Sequence, residues 1–411
     1  MSNLRILYIV HQFFPEWYTG TERFVLDLAK QIQRMGHYVE VLTYFHETAE
    51  GLTGQEGVLE QAYQYQNIPV MAVQHQFVPE FRDFKIFEES IRPGLKETIS
   101  KDRFDLIHVA HPMRLGYATR LAKNAGLPIV LTLTDFWLMC PQFIAVTSDG
   151  RLCQDSNQGM KCGKECYPHL GEEKLVKRHN DAIELFGSVD RVVFATNFLK
   201  QMFELNGFSS QSHQIAFGQD YHKLQSNSKK YTKNSKITLG YMSTVIHHKG
   251  AHLLINAVKK SKRKNIYLKI YGSHFSNQDY FEKLQKLAKG NKRIQFCGKY
   301  NYEDMSGIYN DIDILVVPSI WWENSPLVLV SALSHNVPAI VSDLGGMSEV
   351  IENGKNGFTF DPGNVNSLTD LIIRLSKKPT ILNKLKENII PPARLEEEAF
   401  EYEKIYLELT R

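Results

Sequence analysis

ILVVPSIWWENSPLVLVSALSHNVPAIVSDLGGMSE, residues 314–349, carries two short apolar runs, Ile314–Val317 and Ala339–Ser342, separated by a helix-length stretch. Runs this short and this continuously apolar suit parallel strands covered on both faces. The same alternation extends outward from here. Ile237–Met242, Leu268–Tyr271 and Ile294–Cys297 are further strand candidates in this half. The first half repeats the theme with Ile6–Val10, Val39–Tyr44, Leu106–Ala110, Ile129–Thr134 and Val192–Ala195. Between its first two strands Phe24, Val25, Leu28, Ala29, Ile32 and Met35 form the apolar stripe of a helix from about Glu22 to Met35, ended by Gly36. Strand–helix alternation builds a doubly wound α/β sheet, and two such series in 411 residues mean two domains. The polar, lysine-rich stretch 222–236 marks the seam. The expected organisation is 1–220, 221–394 and a last helix, 395–411, that follows Pro391-Pro392.

Composition excludes several classes. Hydrophobic residues make up 43% and charged residues 23%, as in an ordinary globular protein. A net charge of +3 does not by itself point to nucleic acid. No apolar stretch is long enough for a spanning helix, and the N-terminus runs straight into a strand rather than a signal peptide. A cytoplasmic location is expected, and the five cysteines are then reduced thiols or metal ligands. The run Lys259–Lys264 reads as a solvated helix end helped by its dipole, with a membrane or acceptor contact as the alternative.

Ligands of open α/β sheets bind beyond the carboxyl ends of the strands. Three such ends carry suggestive chemistry. After Val10, Gly20 and Thr21 stand at a helix start, where backbone amides favour phosphate; the absence of a dinucleotide fingerprint disfavours a nicotinamide enzyme. After Met242, Lys249 and Gly250 follow, and a lysine there can reach a diphosphate as a point charge. After Val317, the pair Trp321-Trp322 and the carboxylate of Glu323 precede a helix, and Gly345-Gly346 with Glu349 follow the next strand.

These residues carry a resemblance. PSIWWENSPLVLVSAL and VPAIVSDLGGMSEVIENGKNGF look like the donor-site pattern of retaining glycosyltransferases of family four. FFPEWYTGTERF, VLTLTDFWLMCP, GYMSTVIHHKGAHLLINAV and CGKYNYEDMSGIY resemble the same family in the same order, over nearly the whole chain. The resemblance implies a GT-B fold: two Rossmann-like doubly wound domains facing a central cleft, with the acceptor in the N-terminal domain and a nucleoside diphosphate sugar in the C-terminal one. It implies transfer with retention and no metal or other cofactor required for catalysis. Lys249, Glu323, His111 and Asp135 are the implied catalytic set. Gly20, Thr21, Thr244, Asn324, Ser325, Pro326, Leu327, Ser331, Gly345, Gly346 and Glu349 are the implied donor-binding set. The acceptor is expected to be a glycan or a lipid-linked molecule, with peripheral contact at the inner face of the membrane left open and no nucleic-acid partner. Acceptor choice is assigned to the N-terminal loops, including Trp17, Tyr18, Trp137 and the cysteine region.

Three positions depart from the family pattern. Ser331 stands where a ribose-binding glutamate is usual, Thr244 where an arginine accompanies the lysine, and Thr134 where a sugar-contacting histidine is common. His108, His111 or Asp135 are candidates to compensate. The departures keep a second reading open, a catalytically impaired GT-B protein that partners an active transferase; a GT-B epimerase or phosphorylase is a third. Asp311 and Asp313 have the spacing of a metal-binding Asp-x-Asp pair but precede a strand, so they read as fold residues. Cys140, Cys153, Cys162 and Cys166, with His169 nearby, are weighed as a structural zinc site against ordinary thiols.

Overall fold

The computed structural model describes residues 3–17, 19–45, 53–55, 57–96, 98–220, 224–274 and 277–411. Tyr18 and residues 222–223 of the expected seam lie outside these. The chain divides into two compact units, Met1–Ala216 with Leu395–Arg411, and Phe217–Arg394.

In the first unit the strands are β1 (Arg5–Val10), β2 (Tyr38–Tyr44), β3 (Thr53–Gln55), β4 (Val58–Tyr65), β5 (Ile68–His75), β6 (Leu106–Val109), β7 (Ile129–Leu133), β8 (Arg191–Phe194) and β9 (Ser212–Gln214). Its helices are α1 (Gly20–Arg34), α2 (Arg92–Lys96), α3 (Tyr117–Asn124), α4 (Glu172–Ser188) and α5 (Asn197–Leu205). Among the described residues the strands form one sheet in the order β3-β4-β5-β2-β1-β6-β7-β8-β9. It is parallel from β5 to β9, and an antiparallel hairpin, β4–β5, carries β3 at the edge. That hairpin is absent from the sequence expectations. On β4 the exposed Ala62 and Gln64 alternate with partly buried neighbours, as on a strand with one solvated face, and the continuous apolar run of a strand covered on both faces is missing. Gln66 and Asn67, both at positive φ, make its turn.

The second unit holds β10 (Ile237–Met242), β11 (Ile266–Tyr271), β12 (Ile294–Gly298), β13 (Ile314–Val317), β14 (Ala339–Ser342) and β15 (Gly357–Phe360). Its helices are α6 (Ala251–Ser261), α7 (Gln278–Ala288), α8 (Met305–Asp311), α9 (Leu327–Ser334), α10 (Met347–Val350), α11 (Val365–Lys377) and α12 (Ile381–Glu387). All six strands are parallel, in the order β12-β11-β10-β13-β14-β15. Counted from the first strand of the unit this is 3-2-1-4-5-6, the dinucleotide-fold order. The strand interiors are the core: Ile237, Leu239, Leu268, Ile314 and Ile340 are all fully buried.

Both units thus have two doubly wound halves that diverge between their first and fourth parallel strands, β1/β6 and β10/β13. A last helix, α13 (Leu395–Leu409), belongs to the first unit, where it packs on α1. Its Tyr406 and Tyr402 reach under the sheet: Tyr406 pairs with His108 at 2.6 Å and Tyr402 with Thr132 at 3.0 Å. The stretch that reads as a surface linker is not free in its described part. Tyr231 is buried and donates its hydroxyl to Asp313 at 2.9 Å, and Asp313 also receives the backbone N–H of Thr238 at 2.7 Å. Asp313 therefore closes the start of β10 onto β13, and Asp311 pairs with Lys269 and Tyr271, so both aspartates serve the fold.

Candidate active site

The topology predicts a ligand crevice beyond β10 and β13, where the second sheet changes direction. Lys249 and Glu323 meet there. After β10 the chain makes a single turn, His247–Lys249, and Gly250 starts α6 at φ +74°. A side chain at Gly250 would put its Cβ 1.9 Å from the Pro318 carbonyl oxygen, so only glycine lets this loop lie on the end of β13. Ile320 N–H donates to the His248 carbonyl at 2.9 Å and pins the two loops together.

That contact delivers the Lys249 ammonium to Glu323 Oε1 at 2.7 Å. Ser319 Oγ at 2.6 Å and Trp321 Nε1 at 2.8 Å donate to the same oxygen. The Trp321 ring also lies 4.5 Å from the Lys249 ammonium, a cation–π contact. Glu323 is only 5% exposed. Burial by itself would raise its pKa, but the Lys249 charge and the three donors outweigh that and hold the carboxyl below its ordinary value. Burial, then the charge of Lys249, pushes His248 down to about 4, so it is neutral near pH 7. The neutral His248 ring packs against Trp321 at 4.7 Å.

The expected donor-binding residues surround this pair. Asn324 is buried, and Ser325, Pro326 and Leu327 lead half-exposed into α9. Gly346 N–H donates to the Glu323 carbonyl at 2.8 Å, which brings the Gly345-Gly346 turn after β14 against the same loop. Thr244 is exposed on the β10 loop and Glu349 is exposed on α10. Ser331 is different. It lies buried in α9, and its hydroxyl bonds the Tyr309 hydroxyl group inside the unit.

In the first unit the ends of β1, β6 and β7 gather a second set. His111 Nε2 donates to Asp135 Oδ2 at 3.0 Å while its Nδ1 accepts from the Met113 N–H, and its ring lies 4.0 Å from that of His11. Thr21 donates to Thr134 Oγ1 at 3.0 Å, and Thr134 reaches the Ala110 carbonyl at 3.4 Å. Behind Gly20 and Thr21, fully buried Glu22 accepts the Thr19 N–H at 2.7 Å; burial raises its pKa against the pull of that and neighbouring hydrogen bonds. His11 and Glu22 are absent from the sequence candidates, although His11 directly follows a strand end. Ser319, Trp321 and His248 likewise carry no assigned role there; their signal is adjacency to Glu323 and Lys249.

Three expectations need correction. His108 cannot replace a sugar-contacting histidine: it is fully buried, bonded to Thr132 and Tyr406, and pushed down to about 3 by burial. Trp137 is 1% exposed with its indole N–H on the Asp83 carbonyl, so it is core and not an acceptor-facing ring, whereas Trp17 is 41% exposed. The zinc site is not supported. Among the described residues no group of three or more His, Cys, Asp or Glu is placed to hold a metal ion. As free thiols Cys140 and Cys162 are pushed up to about 11 and about 12, and Cys153 is raised as well, by burial first and then by the neighbouring cysteines.

Comparison with known proteins fits both units. Residues 18–217 match the model Glycosyltransferase Family 4 and residues 224–394 the model Glycosyl transferases group 1. Two glycosyltransferases of Methanocaldococcus jannaschii are similar. One is 30% identical over 31% of this chain and 33% of its own length; the other is 21% identical over 79% and 80%. A capsular polysaccharide biosynthesis glycosyltransferase, CapM of Staphylococcus aureus, is 25% identical over 51% of this chain and 55% of its own. The solved structure of Anabaena HepE in complex with UDP and glucose superposes with a TM-score of 0.72 at 17% identity, covering 99% of this chain and 100% of that one; this likeness bears on the fold alone. With a family model on each unit and two dinucleotide-type sheets, the chain belongs to the GT-B glycosyltransferases of family four.

Proposed function

We propose that this protein is a retaining glycosyltransferase. It would move a sugar from a nucleoside diphosphate sugar to a glycan or lipid-linked acceptor in polysaccharide or glycoconjugate synthesis, on the cytoplasmic side of the membrane. The observation that carries the reading is the buried Lys249–Glu323 pair at the switch point of the second sheet. In this reading the diphosphate displaces Glu323 as the anion on Lys249. The freed carboxylate, to which Ser319 and Trp321 donate, turns to the sugar hydroxyls. Negative charge grows on the departing diphosphate as the glycosidic bond breaks, so a fixed ammonium and the backbone amides of 324–327 and 345–346 lower the barrier. Lys249 supplies the positive charge that a metal provides in other transferases.

In the first unit, His111 and Asp135 are proposed as catalytic residues and Gly20 and Thr21 as donor-binding ones. Thr244 offers a hydroxyl where a second cation is usual, and the enclosed Ser331 leaves the ribose to backbone groups. Similarity to the capsular polysaccharide glycosyltransferase of Staphylococcus aureus supports polysaccharide synthesis.

The test is slow donor hydrolysis by the full chain, offered UDP-, GDP- and ADP-sugars without acceptor and followed by proton NMR. One donor is expected to be cleaved, the sugar released first in its original anomeric form, and Glu323→Gln to slow this by about 10²-fold. Release of the opposite anomer would refute retention; binding and cleavage of no donor would refute the transferase reading.

A further inference from the structure

Eighteen of the chain's 48 lysines and arginines fall in four short segments, 224–236, 259–265, 286–293 and 374–386, and none of its 45 aspartates and glutamates does. The fold brings these segments together. Three of them run directly into the neighbouring strands β10, β11 and β12, so they share the amino-terminal edge of the second sheet. Asn265 joins three of the four: its side-chain amide donates to the Ser235 carbonyl at 3.4 Å and to the Ser376 carbonyl at 3.1 Å. Tyr231 N–H donates to Asn383 Oδ1 at 2.9 Å, and Arg293 donates to the Arg263 carbonyl. The Lys259 ammonium donates to the Leu287 carbonyl at 2.6 Å. This edge is the opposite end of the sheet from Lys249 and Glu323.

Helix dipoles account for little of this charge. The carboxyl ends of α6, α7, α11 and α12 lie here, and four helix ends carry roughly two negative charges in all. Among the described residues the only ion pair made by any of the eighteen is Lys229 with Asp313, at 3.0 Å. Between α11 and α12 the face is hollowed into a cavity of about 600 Å³, lined by Arg374, Lys377, Lys378 and Lys384 around one carboxylate, Asp370. Its floor is apolar, with Phe358 and Ile381.

We propose that this face binds an anionic lipid bilayer. Fifteen of the eighteen cations are lysines, which act as point charges on flexible stems and suit a diffuse anionic surface better than a fixed bidentate ligand. Single-stranded nucleic acid would need exposed rings for stacking, and the one aromatic residue in the four segments, Tyr231, is buried. The cavity takes a lipid phosphate at its rim, and its apolar floor takes the glycerol backbone. The inference stands on the charge distribution and not on the transferase reading.

The test is sedimentation of the full chain with vesicles of phosphatidylcholine alone, or of phosphatidylcholine mixed with phosphatidylglycerol. The wild type should bind only the mixed vesicles and be released as salt rises from about 50 to about 500 mM. Lys377→Glu/Lys378→Glu/Lys384→Glu should weaken that binding at least about tenfold. Lys123→Glu/Lys177→Glu/Lys200→Glu, which changes the net charge equally in the first unit, should weaken it less than about twofold. Circular dichroism and a thermal melt of each variant report whether it is folded. If the first variant does not fold, Lys262→Glu/Lys264→Glu replaces it with the same expectation. No binding of the wild type to mixed vesicles, equal losses in both triple variants, or tighter binding to an oligonucleotide than to vesicles would overturn the proposal.

Discussion

Replacing Lys249 by methionine keeps its stem and removes its charge, and so isolates what the ion pair does for the second unit. Glu323 is 5% exposed, and Lys249 at 2.7 Å is its counter-ion. Removing one partner of a fully buried pair costs about 3–5 kcal/mol, because the other charge is left without compensation. Here the Lys249 side chain keeps 19% exposure, and Ser319 and Trp321 still donate to the carboxylate. A loss of about 2–3 kcal/mol is therefore expected for Lys249→Met. Lys249→Met/Glu323→Gln leaves no charge uncompensated and should cost less than about 1 kcal/mol, well under the sum of the single changes. The pH dependence follows from the direction of the Glu323 shift. In the wild type its folded pKa is lowered, so its contribution is present above the unfolded carboxylate value and is lost as pH falls through the folded one. In Lys249→Met, burial dominates and raises the folded pKa. Protonation then relieves the penalty, and the gap to wild type should narrow between about pH 7 and pH 4. Hydrogen exchange at β10 and β13 in rising urea reads the opening of this unit within the full chain. A loss below about 0.5 kcal/mol, or a double variant as unstable as the sum, would refute the reasoning.

His108 should make the first unit acid-sensitive. Its folded pKa of about 3 lies below the unfolded value, so its contribution is complete above about pH 6.5 and falls by up to roughly 1.4 kcal/mol per pH unit below that; His108→Gln should flatten the melting temperature over this range. Gly250→Ala should lower stability by more than about 2 kcal/mol, through a positive φ and a clash with backbone, and weaken nucleotide binding by moving Lys249; unchanged denaturation and titration would count against the close packing. Arg178 is 3% exposed and donates to the carbonyls of Phe84, Leu138 and Trp137, so Arg178→Met should cost about 3 kcal/mol in chemical denaturation and Arg178→Lys should recover little, since one ammonium cannot span three directions.

What could be read from the sequence followed one physical rule. Strands buried on both faces are continuous apolar runs, and β10, β13 and β14 begin and end where those runs do. The β4–β5 hairpin escaped because β4 has one solvated face and alternates instead of running continuously apolar, and β15 because Gly357 and Thr359 interrupt its apolar run. Lys249 and Glu323 were legible because each follows a strand end, where a charge has no packing role. The partners of Glu323 were less so: Ser319 and Trp321 become donors only when the Gly250 loop folds onto β13. His108 was misjudged because a histidine inside an apolar strand looks the same whether it faces a ligand or, as here, two tyrosines of a helix 298 residues later in the chain. Four cysteines with uneven spacing suggested a metal, yet spacing alone does not place side chains around an ion, and among the described residues no such group forms.

The central claim is that Lys249 holds the diphosphate of a nucleotide donor. Calorimetric titration of the full chain with UDP, GDP and ADP tests it most directly, with Lys249→Met beside the wild type. Binding of one nucleotide, weakened at least about tenfold in Lys249→Met, is the predicted result, since a charged hydrogen bond is worth about 1.5–3 kcal/mol. Binding of equal strength in wild type and variant, or binding of none of the three, would contradict it.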